Sequence, residues 1–203
     1  MHKKHYICTQ MSTKDMKPVI SALLLLVLSL PCTAQGERYH GDGIDDYLRF
    51  VPLASAYVLK AAGVESASSW KRMTVNSALS VAIASGVTYG LKQTVHKMRP
   101  DRTDNKSFPS GHTTMAFAGA TVLHKEFGRI SPWVSVAGYG VATFTAIDRV
   151  CRNRHHWTDV ATGAAIGIIG TEAGYRIGDL LTGEHSRYAL GVGPDGLAVF
   201  ISF

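Results

Sequence analysis

Three short stretches of this chain combine residue types suited to handling an anion. In LKQTVHKMRP, Lys92 and Arg99 stand at i and i+7, two turns apart on one face if the helix runs through both, and the planar fork of arginine matches phosphate oxygens. In FPSGH, Pro109 disfavours helix at Phe108, Ser110 is a preferred N-cap, and a periodic apolar run follows at once, so a helix begins near Gly111. The unpaired N–H groups and positive dipole end of such a start attract an anion, and Gly111 lets it approach the backbone. In DRVCRNRHHWTDV, Arg149 precedes His155 and Asp159. The i, i+4 spacing lets the Asp159 carboxylate accept from Nδ1–H of His155 and turn Nε2 outward, the orientation an attacking imidazole needs. His156 competes for that role, but its i+3 relation to Asp159 and its spacing from Arg149 favour His155. Taken singly, each stretch has an ordinary explanation: a solvated basic helix end, a well-capped helix with His112 exposed, and a surface His–Asp pair.

The elements that must position these residues read as helices near 50–62, 73–91, 112–127, 133–148 and 157–178, joined by polar or Gly/Pro-containing segments. A helix ends near Lys92, the next begins at Gly111, and its antiparallel neighbour ends near Arg149, so all three clusters fall at one end of a helical hairpin. The expected fold is all-α, a compact bundle of about five to six helices. The tail RYALGVGPDGLAVFISF, with Pro-Asp-Gly between alternating apolar runs, reads as a short C-terminal β-hairpin docked on the bundle. Met73 to Leu91 is 19 residues without a charge but carries Thr74, Asn76, Ser77, Ser80, Ser85 and Thr88, which favours a soluble or peripherally attached bundle over a multi-pass one.

At 203 residues, with 18% charged and 20 Gly, the chain suits one closely packed domain and excludes a disordered one. Lys14 and Lys17 precede the apolar stretch Val19 to Leu30, and Cys32-Thr33-Ala34 offers small residues for a signal peptidase. Residues 1–34 therefore read as a signal peptide and 35–203 as the mature domain, exported to the periplasm or cell envelope. Cys8 and Cys32 leave with that leader, and Cys151 remains as a buried, inert thiol. The net charge of +6 in an exported protein points to phosphates or an anionic membrane surface, and no nucleic-acid motif is present.

Together the clusters resemble the three-part signature of the type 2 phosphatidic acid phosphatases: Lys92 with six residues before Arg99-Pro100, Pro109-Ser110-Gly111-His112, and Arg149 with five residues before His155 and three more before Asp159. The resemblance spans about residues 70–165 and also takes in class A acid phosphatases and vanadium haloperoxidases. It implies a phosphatase without metal or other cofactor. His155 would form a phosphohistidine, Asp159 would orient it, and His112 would protonate the leaving oxygen. Lys92, Arg99, Arg149, Ser110 and Gly111 would hold the phosphoryl oxygens. The expected substrate is a phosphorylated envelope lipid such as lipid A, with contact to the membrane surface. Prenyl pyrophosphate or non-specific acid phosphatase activity is the alternative.

Arg102, Arg152 and Arg154 are candidates for further head-group charge, and Trp157 for an interface. Asp148 departs from the family pattern, which has Ser there, and adds a negative charge near the site. A vanadium haloperoxidase, a zinc hydrolase using His112, His155, His156 and Asp159, and a non-catalytic anion-binding, membrane-associated bundle are the rival readings.

Overall fold

The computed structural model describes residues 43–184 in full and the backbone of 188–193 and 196–201. The expected signal peptide lies outside the described residues. Among the described residues six helices follow in order: α1 (Asp45–Leu48), α2 (Val51–Ala61), α3 (Trp70–Thr94), α4 (Gly111–Phe127), α5 (Pro132–Cys151) and α6 (Trp157–Thr182). Five match the helices expected from periodicity. The exception is α1, four residues long with both Asp45 and Asp46 in its first turn. Its sequence is polar and too short to show a period.

Helix α3 starts earlier than expected because Ser69 caps it, accepting from Arg72 N–H at 3.1 Å. Arg72, in the first turn, is buried and paired through Nε and Nη2 with Asp179 of α6 at 2.8 and 2.9 Å. Such a two-pronged pair fixes geometry as well as charge.

Helix α4 runs through the middle. Its inner face contributes Ala116, Ala120, Val122, Leu123 and Phe127 to the core, packed with Met73 of α3 and Ala142 of α5. A stripe of glycines brings α6 against two neighbours. A Cβ at Gly163 would lie 2.7 Å from the Ser110 carbonyl, and one at Gly167 2.6 Å from that of Thr114. Farther on, a Cβ at Gly174 would lie 2.5 Å from Ser80 N. The order of these meetings fixes direction: α6 runs parallel to α4 and antiparallel to α3, and Gly138 of α5 against Leu123 makes α5 antiparallel to α4. The N-termini of α4 and α6 and the C-termini of α3 and α5 therefore share one end of the bundle.

The stripe admits a direct test. Gly174→Val forces a branched side chain into the backbone of α3 and should cost about 3 kcal/mol, lowering the melting temperature by roughly 6–12 °C in thermal denaturation. Gly140 of α5 faces open space. Gly140→Ala should be neutral or gain about 0.5 kcal/mol.

Among the described residues no helix is long and apolar enough to cross a membrane. The backbones of Tyr188–Gly193 and Gly196–Ile201 run antiparallel, and Pro194 and Asp195 between them lie outside the described residues.

Candidate active site

A cavity of about 440 Å³ opens at the shared helix ends, and Lys92, Arg99, Gly111, His112, Arg149 and His155 all line it. The dipole ends of α4 and α6 both bring positive potential to this region. Phe50, Tyr89 and Met115 add apolar wall. The cavity can thus take an anionic head with an apolar portion beside it.

His155 is 2% exposed, and its Nδ1–H donates to the Ser107 carbonyl at 2.6 Å. That bond fixes the neutral tautomer with the Nε2 lone pair unprotonated. Burial, then Arg149, Arg99 and Lys92, push its pKa down to about 3. The ring is therefore neutral and nucleophilic across the physiological range.

Asp159 does not accept from His155 as its spacing suggested: Oδ2 lies 3.9 Å from Nδ1. The physical reason is where the helix starts. Helix α6 begins at Trp157, so His155 precedes it and the i, i+4 geometry does not apply. Asp159 instead turns back to the N-cap, accepting from His156 N–H at 2.9 Å, and also takes bonds from Ser107 Oγ and, at 2.6 Å, from Lys97 Nζ. Burial opposes its ionisation, but these donors overcome it and hold its carboxyl well below the usual range. Asp159 thus reaches the histidine through Ser107, whose hydroxyl it holds while the same residue's carbonyl holds the ring.

Ser110 caps α4 as expected, its Oγ accepting from Thr113 N–H and Thr113 Oγ1. It is fully buried and does not line the cavity, whereas Gly111 does. Arg99 is aimed by Asp104, at 2.7 Å from its Nε, and by the Arg154 carbonyl, at 3.3 Å from Nη1. Lys92 Nζ donates to the Lys106 carbonyl at 2.9 Å, and burial followed by Arg99 lowers its pKa to about 8.

Residues absent from the sequence expectation complete the site. Asp45 is fully buried and accepts from Arg149 Nη1 and Arg152 Nη1. Asp46 Oδ1 lies 2.7 Å from His112 Nε2, and Arg49 Nη1 lies 3.1 Å from the same atom. Asp148 sits in this acidic surround, its pKa raised by burial and by Asp45. Lys97 looks like a solvated charge in sequence but donates to both Asp159 and, at 2.7 Å, Thr158 Oγ1.

Two of the arginines considered for head-group contact have structural partners instead: Arg152 pairs with Asp45, and Arg154 with Asp101 at 2.6 Å. Cys151, expected to be buried, is exposed at the end of α5. Trp157 is 63% exposed at the cavity's end of the bundle.

A helical bundle whose ends gather cations and a buried neutral histidine around one cavity defines an anion-handling α-protein. The family model described as PAP2 superfamily matches residues 74–180, and the chain belongs to that superfamily. It is 41% identical over 177 residues to a lipid A 1-phosphatase of Porphyromonas gingivalis, a match covering 84% of this chain and 40% of that protein. A probable lipid phosphate phosphatase 4 of Arabidopsis thaliana is 38% identical over 81 residues, covering 34% of this chain and 26% of that one. The chain thus spans about two fifths or less of the length of these relatives. The crystal structure of Aquifex aeolicus LpxE aligns with a TM-score of 0.53 at 20% identity, covering 77% of this chain and 94% of that one, and shares the fold.

Proposed function

We propose that this protein is a phosphatase that hydrolyses a phosphate ester of an envelope lipid such as lipid A through a phosphohistidine. The observation that carries this reading is the His155 ring, oriented by the Ser107 carbonyl, kept neutral by burial and the surrounding cations, and lining a cavity with Lys92, Arg99 and Arg149. The Nε2 lone pair attacks phosphorus and the ester P–O bond breaks, His112 giving its proton to the leaving oxygen. Water then attacks the phosphohistidine, its proton passing to His112 as the P–N bond breaks and phosphate leaves. Lys92, Arg99, Arg149 and the N–H groups opening α4 stabilise charge on the equatorial phosphoryl oxygens, a task that fixed cations and dipoles can perform. Ser110 supports this start as its cap, and Asp159 holds Ser107 in place.

The lipid substrate is supported by the similarity to the Porphyromonas lipid A 1-phosphatase and by the apolar wall beside the cations. An exported chain with a leader over 1–34, contact between the membrane surface and the Trp157 end, and a C-terminal β-hairpin belong to the same reading. Prenyl pyrophosphate or non-specific phosphate esters are the alternative substrates.

The test is phosphate release from lipid A, prenyl pyrophosphate, phosphatidic acid and p-nitrophenyl phosphate with chelator present. Preferential release from lipid A is expected; no release from any substrate would refute the reading. The pH dependence follows from the site. His155 is neutral above about pH 3, while burial and Arg149 lower the pKa of His112 below its ordinary 6.5. Activity requires the first deprotonated and the second protonated, so kcat/KM should peak on the acid side of pH 6.5 and fall as pH rises through the His112 value. Above about pH 8, neutralisation of Lys92 should weaken phosphate binding further and raise KM.

A further inference from the structure

His112 Nε2 has two neighbours that ask opposite things of it. As N–H it donates to Asp46 Oδ1 at 2.7 Å; as a bare nitrogen it would accept from Arg49 Nη1 at 3.1 Å. It cannot do both at once. Asp46 is the nearer and carries the opposite charge to the imidazolium, and Asp45 Oδ2 stands 3.7 Å away on the same side. We propose that Asp46 is the positioning residue of the acid–base step: it keeps a proton on Nε2 of His112 and so leaves Nδ1 to exchange the catalytic proton with the cavity.

This inference rests on the phosphatase reading and assigns a role to α1, which lies before the residues matched by the family. Its consequence covers both half-reactions. The protonated ring gives its Nδ1 proton to the leaving oxygen; the neutral ring, still bound to Asp46 through Nε2–H, presents a bare Nδ1 to accept a proton from the attacking water. Were Arg49 to win instead, the neutral ring would carry Nδ1–H and could not act as the base.

The charges around the ring set the size of the effect. Asp45 and Asp46 come from α1, Arg49 from the α1–α2 junction, Lys92 from α3, Arg149 from α5 and His155 from the segment before α6. Burial, Arg149 and Arg49 lower the His112 pKa, while Asp46 and Asp45 raise it. Removing Asp46 must therefore lower it further, and the population of the acid form at a given pH with it.

The experiment compares wild type with Asp46→Asn and Asp46→Glu by two readouts. Ring NMR titration of His112, assigned against His112→Asn, measures its pKa without turnover. Asp46→Asn should lower it by about one unit, with Asp46→Glu closer to wild type. In turnover, Asp46→Asn should move the alkaline limb of kcat/KM down by a similar amount. It should cost about tenfold on an alkyl phosphate, whose leaving oxygen needs a proton, but under about threefold on p-nitrophenyl phosphate. An unchanged His112 pKa, or equal losses on both esters, would overturn the proposal. A wild type that releases no phosphate would sink the phosphatase reading and the catalytic role together, while a lowered pKa in Asp46→Asn would still leave the pairing standing.

Discussion

Replacing His155 with alanine is expected to reduce turnover by about 10⁴-fold or more, because the residue removed is the one that forms the covalent bond. Binding should survive. Lys92, Arg99 and Arg149 line the cavity independently of the imidazole, and the nearest fixed points, the Ser107 carbonyl and the end of α5, are backbone. Inhibition by inorganic phosphate should therefore change by less than about threefold, a pattern of lost kcat with retained ground-state affinity. A second readout is the intermediate. Brief mixing with radiolabelled substrate and alkaline quenching should trap label on wild-type protein, with the acid lability of a phosphoramidate, and none on the variant. His156→Ala is the matched control: that ring is 44% exposed and does not line the cavity. Comparable losses in the two variants, or label retained without His155, would assign the nucleophile elsewhere.

The cations and both histidines were legible because each is pinned by a local signal: Gly111 by a Pro-Ser-Gly helix start, Arg149 and Lys92 by the ends of long apolar helices. Antiparallel connectivity then forces those ends together. What the sequence hid depends on partners distant along the chain. Asp45 and Asp46 sit in a four-residue helix with no period to read, and only the packing of α1 near α5 shows that they face Arg149 and His112. Lys97 belongs to a basic run that looks solvated, and its use becomes visible once the loop through Ser107 folds over the start of α6. The Asp159 route was misjudged because helical spacing was applied across a boundary, His155 lying before Trp157. Arg72 was missed for the converse reason. A charged first turn normally faces water, and here Asp179, 107 residues away, draws it inside.

Arg149 is expected to support fold and chemistry by different mechanisms, and a cycle with Asp45 separates them. Asp45 is fully buried and Arg149 is 3% exposed, so their pair lies out of water. Arg149→Met leaves the carboxylate with only Arg152 as its other close arginine, and breaking a buried pair from one side should cost about 3 kcal/mol. That corresponds to a drop of roughly 6–12 °C in melting temperature. Loss of the guanidinium that faces the phosphoryl group should also lower kcat/KM by about 10²–10³-fold. Gly43 lies against this pair: a Cβ there would lie 2.1 Å from Asp45 Oδ1 and 1.5 Å from Arg152 Nη1, so a larger residue would displace those side-chain ends. In the double variant Asp45→Asn/Arg149→Met the stranded charge is gone, Arg152 retains a polar partner, and much of the stability should return. Activity should not, because a phosphoryl oxygen still lacks its guanidinium. Recovery of both would make Arg149 a structural residue, whereas recovery of neither would mean that its methylene packing, rather than the buried charge on Asp45, dominates. Asp45→Asn alone completes the cycle. It relieves Arg149 of a competing anion, so inorganic phosphate should bind several-fold more tightly even as the unliganded protein loses stability, a pairing of opposite changes that follows from one guanidinium shared between a fixed carboxylate and a passing phosphate.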